Sequence, residues 1–243
     1  MSADASNAGA AAPARAGDAD KPARMRASWE RNAAAWTDAV REQRIASRRA
    51  GTDAAVVDAV LRLAPSRVLD VGCGEGWLAR VLAERGVAVV GIDASEALVE
   101  SARALGGGRF EKLAYADIGA DAFGALFDLA VCNFALLEDD LAPALDAIAR
   151  TLGANGRLVV QTVHPWAACG DARYENGWRL ETFAAFGNGF VAPMPWYFRT
   201  LGAWIDALAA SGFRVERAEE PIDRESGKPL SLLLTAVRAE ADR

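Results

Sequence analysis

Through the middle of the chain, short apolar runs alternate with amphipathic stretches. Arg67–Val71, Ala88–Ile92, Arg109–Leu113, Phe127–Cys132 and Arg157–Val163 are too short and too apolar for surface helices, and they read as buried strands. Between them, helices are expected to begin near Gly76, Ser95 and Glu138. The clearest stripe is Leu141, Leu145, Ile148 and Leu152, with Gly86, Gly106 and Gly153 placed to stop these helices. Strand and helix in strict alternation, joined by right-handed crossovers, build an open parallel sheet covered on both faces. Upstream, Trp29, Ala33, Trp36 and Val40 mark one face of an N-terminal helix. A second helix follows Gly51, with Thr52 or Asp53 as its cap, Val56, Val57, Val60 and Leu61 as its stripe, and Pro65 as its end.

After His164 the alternation stops. Pro165 to Arg199 is an insertion rich in glycine and aromatic residues, too long for an idle connection. Thr200 then caps a helix carrying Leu201, Trp204, Ile205 and Leu208, and Gly212 ends it. Phe213–Glu219 and Leu230–Val237 read as closing strands, and the Pro221–Pro229 linker suits a turn between antiparallel neighbours. The fold expected is a doubly wound α/β sheet with a cap inserted after its fifth strand.

Composition narrows the function classes. Of 243 residues, 52% are hydrophobic and 25% charged, enough to fill a packed interior. The formal charge is -6 and no basic run occurs, which disfavours nucleic acid as a partner. Three cysteines, Cys73, Cys132 and Cys169, have no C-x-x-C spacing and suit a reducing, cytoplasmic setting. No stretch is apolar enough to enter a membrane as a spanning helix. Residues 1–25 are read as a disordered tail without a secretory pattern, and residues 26–243 as one domain with N-terminal helices at 26–64 and a cap at 165–199.

The densest chemical signal is Val68-Leu69-Asp70-Val71-Gly72-Cys73-Gly74-Glu75-Gly76, a strand running into alternate glycines just ahead of a helix. Bare backbone there turns sharply and admits a ligand over the helix N-terminus. The next strand ends in Asp93, whose carboxylate can accept ribose hydroxyls. Three details separate this turn from a dinucleotide site. Trp77 stands where the third glycine of G-x-G-x-x-G would pack. Asp70 would hold a cationic amino group but repel a diphosphate. Tyr115-Ala116-Asp117-Ile118 offers an acid beside an apolar residue, suited to an adenine ring.

On these residues, from about Arg67 to Val237, the chain resembles the class I S-adenosylmethionine-dependent methyltransferases that act on small molecules. The resemblance implies a seven-stranded, Rossmann-like sheet, mostly parallel and closed by a C-terminal antiparallel hairpin. It further implies that Asp70, Gly72, Cys73, Gly74 and Gly76 hold the amino-acid part of S-adenosyl-L-methionine. Asp93 with Ala94 would take the ribose, Asp117 and Ile118 would frame adenine, and Asn133 and Phe134 would lie beside the sulfonium. The chain lacks the Asn/Asp-Pro-Pro-aromatic sequence of enzymes that methylate planar amino groups of bases, and no acids have metal-like spacing.

Acceptor-side candidates lie around the insertion. His164, the single histidine, ends the fifth strand and is the candidate proton acceptor, with a backbone-bonded strand end as the bland alternative. Trp36, Trp166, Tyr174, Trp196, Tyr197 and Arg199 are candidate substrate contacts. The aromatic residues among them could equally fill a satellite core or a contact between copies. Cys132 reads as a buried strand residue and not a nucleophile. The expected reaction is in-line methyl transfer to a small-molecule oxygen or nitrogen, by a monomer or homodimer. The rival readings are a nicotinamide-dependent oxidoreductase and a non-catalytic protein that binds S-adenosylmethionine.

Overall fold

In the computed structural model, which describes residues 20–119 and 122–239, the chain folds as helices α1 (Lys21–Arg41) and α2 (Asp53–Arg62), then β1 (Arg67–Val71), α3 (Trp77–Ala83), β2 (Ala88–Asp93), α4 (Glu96–Leu105), β3 (Arg109–Lys112), β4 (Phe127–Asn133), α5 (Ala142–Thr151) and β5 (Leu152–Val163). The cap holds α6 (Pro165–Cys169), β6 (Gly177–Glu181) and β7 (Met194–Phe198). The chain closes with α7 (Leu201–Ala210), β8 (Phe213–Glu219) and β9 (Ser231–Arg238).

Seven strands form one sheet in the order β3-β2-β1-β4-β5-β9-β8. Strands β1 to β5 pair in parallel, and β9 runs antiparallel to both β5 and β8, as the sequence pattern requires. The reversal of order at β1 and β4 places a crevice beyond their carboxyl ends, where open α/β sheets receive ligands. Alternate strand residues feed two cores. Leu69, Val71, Ala130, Cys132, Leu158 and Val160 pack under α5 and α7, whereas Val68, Leu129, Val131 and Val159 pack under α2 and α3.

Three boundaries differ from the sequence reading. Helix α1 begins at Lys21, with Asp20 accepting from the Ala23 amide and Pro22 in its first turn, so residues 21–25 belong to the domain and Met25 is buried in the cap core. Residues 1–19 of the expected tail lie outside the described residues. Gly153 does not stop α5, because Leu152 already turns the chain into β5 and Gly153 lies inside that strand. Helix α5 starts at Ala142, leaving Glu138 in the loop that precedes it.

The cap is a two-stranded antiparallel sheet, β6 with β7, laid against α1. Met25, Phe183, Met194, Trp196 and Phe198 form its core. Polar bonds fix it to the helix: the buried Asn32 side chain accepts from the Val191 and Ala192 amides and donates to the Ala192 carbonyl, which Ser28 also reaches. Helix and insertion therefore form a single cover, although they are far apart in sequence.

Candidate active site

Strand β1 ends at Val71, and residues Gly72 to Gly76 reverse the chain into α3. Gly72, Gly74 and Gly76 have φ of 75°, 55° and 82°, the left-handed region that L side chains avoid. The amides of Gly72 and Cys73 both donate to the Ile92 carbonyl, tying the turn to β2. A Cβ at Gly72 would lie 2.5 Å from Ala135 Cβ and 2.8 Å from Tyr115 Oη, and one at Gly76 would lie 2.9 Å from Ala102 Cβ. Those two glycines thus admit neighbouring protein atoms. At Gly74 the nearest atom is Trp36 Nε1 at 3.5 Å, so a half-buried indole from α1 stands over the middle of the turn.

Two acids flank this turn in different states. Asp70 is buried, and its Oδ2 has no hydrogen-bond partner among the described residues. Burial, with a smaller contribution from the Asp93 charge, pushes its carboxyl up to about 7. A buried carboxylate without a partner is costly, and a ligand ammonium is the group that would satisfy it. Asp93 is half-buried and better served: Oδ2 accepts from the Gly74 amide at 3.0 Å and Oδ1 from the Ser95 amide at 2.9 Å. Desolvation still raises it, while bonds from the Ser95, Gly74 and Ala94 amides oppose the rise. Each oxygen retains further accepting capacity beyond these bonds.

Glu75 was not singled out in the sequence. Its fully buried carboxylate is held by Arg80 at 2.6 and 2.7 Å and by Arg41 of α1 at 3.0 Å. The turn is thereby bolted to both α3 and α1. A charged residue between glycines, followed by arginine five positions on, was the available signal.

On the β2–β3 side, Tyr115–Asp117 forms one tight helical turn. Asp117 is exposed and free to meet a polar edge. Ile118, expected to cover an adenine face, is instead 2% exposed and packed in the core under α5, so it has no surface to offer. Tyr115 does more than sequence suggested: its hydroxyl donates to the Ala135 carbonyl at 3.1 Å and rests against Gly72.

Strand β4 delivers Asn133 and Phe134 to the same crevice. The Asn133 Oδ1 accepts from Gln161 Nε2 at 2.7 Å, which fixes the amide. Phe134 adopts φ of 55°, a strained conformation for an aromatic residue and one that clusters at functional sites. Four residues on, Glu138 is half-buried and only 3.7 Å from Arg26 of α1. Desolvation, with Asp139 and Asp140 nearby, raises its carboxyl although Arg26 opposes this. The thiols of Cys73 and Cys132 are buried, and burial pushes both well up, so neither is a nucleophile.

The remaining candidates divide. Trp36 lies over the turn, as described. Trp196 is buried in the cap core and serves packing. Tyr197 is partly buried, edge-on to Trp178, and its amide holds the Leu137 carbonyl. Arg199 is buried with its guanidinium against Tyr197 and Trp204 and bonded to the Glu138 carbonyl. Desolvation lowers it to about 10, still a cation at neutral pH. It positions the Glu138 loop. His164, Trp166 and Tyr174 gather elsewhere, in a groove near α7 that no residue of the glycine turn lines. His164 Nδ1 accepts from the Ala167 amide at 3.3 Å, which places the ring proton on Nε2, 2.7 Å from Glu220 Oε1. Both ring nitrogens are engaged, so the imidazole caps α6 and has no lone pair for an acceptor's proton. That corrects the expectation of a general base.

A family described as methyltransferase domain matches residues 41–218. A methyltransferase of Schizosaccharomyces pombe is 29% identical over 161 residues, covering 63% of this chain and 60% of that protein. The ubiquinone biosynthesis O-methyltransferase of Alkalilimnicola ehrlichii is 38% identical over 104 residues, covering 40% of this chain and 42% of that one. The chain thus spans about half the length of these curated relatives. Among solved structures, the Burkholderia thailandensis 1,6-didemethyltoxoflavin-N1-methyltransferase, crystallised with 1,6-didemethyltoxoflavin and S-adenosylhomocysteine, superposes with a TM-score of 0.66. It is 21% identical, with 95% of each chain covered.

Proposed function

Because the chain belongs to the methyltransferase-domain family, we propose that it transfers the methyl group of S-adenosyl-L-methionine to a small-molecule oxygen or nitrogen. The observation that carries this reading is the partnerless Oδ2 of Asp70 beneath the glycine turn, with Asp93 at the end of the adjacent strand. The two acids suit the amino and ribose groups at opposite ends of such a cofactor, and Asp117 suits the adenine edge. Bound there, the cofactor supplies a methyl group on a cationic sulfur, open to in-line displacement.

The chain's own residues supply alignment and dryness. Trp36 covers Gly74, and the cap core with Trp29 and Phe186 around it excludes water. The strained Phe134 and the clamped Asn133 fix the floor where donor and acceptor meet. Glu138, raised by its half-buried setting, is positioned at the α1 edge to accept the proton that a hydroxyl or N–H acceptor gives up on methylation. The aromatic cover favours a flat acceptor. No helix among the described residues is long and apolar enough to cross a membrane. A cytoplasmic enzyme, monomeric or homodimeric and without a nucleic-acid partner, accords with the charge balance and the free cysteines.

The test is incubation with methyl-labelled donor and a fractionated pool of small metabolites. Label appearing in a discrete product, and absent with Asp93→Ala, is the expected result. Transfer to none of the fractions despite tight binding of the product cofactor would favour a non-catalytic binder.

A further inference from the structure

His164, Trp166 and Tyr174 were singled out by sequence, yet the proposed reaction uses none of them. They line a groove of about 390 Å³ together with Pro165, Leu201, Glu220 and Leu232. Its place in the fold separates it from the glycine turn. Thr162 and His164 follow the β5 face that packs under α5 and α7, whereas Gln161, which clamps Asn133, faces Thr52 at the start of α2.

The walls of this groove are unusual for a solvent-facing surface. Trp166 is 68% exposed and Tyr174 41%, and their rings sit 5.7 Å apart at 55°, an open aromatic angle. Tyr174 is not adrift, because its hydroxyl accepts from the Leu201 amide at 2.9 Å. Leu201 adds an exposed apolar side chain on the third side. Against these stands a single carboxylate, Glu220, exposed but aimed by a bond from the buried His164, whose own orientation is set by the Ala167 amide. No lysine or arginine among the described residues lines the groove. Aromatic faces attract cations through their quadrupoles, and an anchored carboxylate without a cationic partner adds direct charge attraction. The volume falls in the range of small-molecule sites.

We propose that this groove is a binding site for a small organic cation, an alkyl- or arylammonium, whose charged head lies between Glu220 and the Trp166 and Tyr174 rings and whose apolar body lies on Leu201. His164 is a positioning residue here: it holds the Glu220 carboxylate over the aromatic walls. The site stands independently of the methyl-transfer reading, since none of its residues belongs to the glycine turn.

The experiment is an NMR titration of the full chain, following the Trp166 indole N–H assigned through Trp166→Phe. The probes are benzyltrimethylammonium, neutral benzyl alcohol and anionic benzoate. The account expects saturable shifts of the Trp166 signal with the cation alone, at a Kd below a few millimolar. Glu220→Gln, an exposed substitution whose folding is checked by circular dichroism, should weaken that binding about tenfold. His164→Gln should weaken it less. No shift with the cation, equal shifts with the neutral or anionic probe, or undiminished binding by Glu220→Gln would each overturn the assignment.

Discussion

The glycine turn and the aromatic cap face the same crevice, but they treat their buried polar groups differently. Beneath the turn, Asp70 is buried with an unpartnered oxygen and a carboxyl raised to about 7. Where α1 meets the cap, Asn32 is equally buried, yet its amide bonds four ways, to Ser28, to the Ala192 carbonyl and to two backbone amides. Native interiors satisfy their polar groups, so a buried acid left open points to an absent ligand, whereas a saturated amide points to architecture. The turn is a site whose stability is incomplete without its ligand. The cap, anchored by that saturated amide, is a structural unit that contributes walls.

Among substitutions in the two regions, those in the turn have the largest expected effect. Gly72→Ala forces a Cβ against Ala135 and the Tyr115 hydroxyl in a left-handed backbone. It should cost about 2–3 kcal/mol of stability in urea unfolding and reduce S-adenosylhomocysteine affinity about a hundredfold. Asp70→Asn should weaken the same ligand about tenfold to a hundredfold by removing a charge-assisted bond. The unliganded variant should nevertheless melt higher than the native chain at pH 8. The sign follows from the raised carboxyl: folded, it holds its proton up to about 7, but unfolded only to 3.8, so ionisation works against folding and stability falls as pH rises between those values.

Asn32→Ala sharpens the contrast, since it should destabilise at every pH. Losing the shared amide leaves the Val191 and Ala192 groups unpaired, a cost of about 2–3 kcal/mol visible as a lower urea midpoint and faster proteolysis of the cap. The smallest effect is expected from His164→Ala. Methyl transfer should stay within about twofold of native, because the imidazole caps α6 and faces another groove. A loss beyond tenfold with unchanged ligand affinity would restore the histidine to the reaction.

The legibility of these regions in sequence follows the same division. Strands β1 to β5, their parallel pairing and the turn from Asp70 to Gly76 were readable because apolar runs, alternate glycines and strand-end acids are local patterns. The cap was recognised as an insertion, but its pairing with α1 was not, since Asn32 meets Val191 and Ala192 across most of the chain and no periodicity encodes that. Helix α1 was begun too late for a related reason: its first turns are polar on most sides, and Met25 is buried only because the cap packs on it. Ile118 was misread because its neighbour Asp117 is exposed while its own side chain packs in the core, and His164 because the strand end that carries it turns, with Pro165 and Trp166, into a separate groove at α7. Glu75 and Glu138 were passed over because a single acid in a loop acquires meaning only from the arginines that tertiary structure brings to it.

Asp70, buried with an open oxygen, awaits a cationic ligand group. A calorimetric titration with S-adenosylhomocysteine at pH 6 and pH 8, each in two buffers of different ionisation heat, addresses it directly. The account predicts release of close to one proton per ligand bound at pH 6, little at pH 8, and tighter binding at pH 8. Binding that is independent of pH and buffer, or no binding beside a clear signal with NADH, would contradict it.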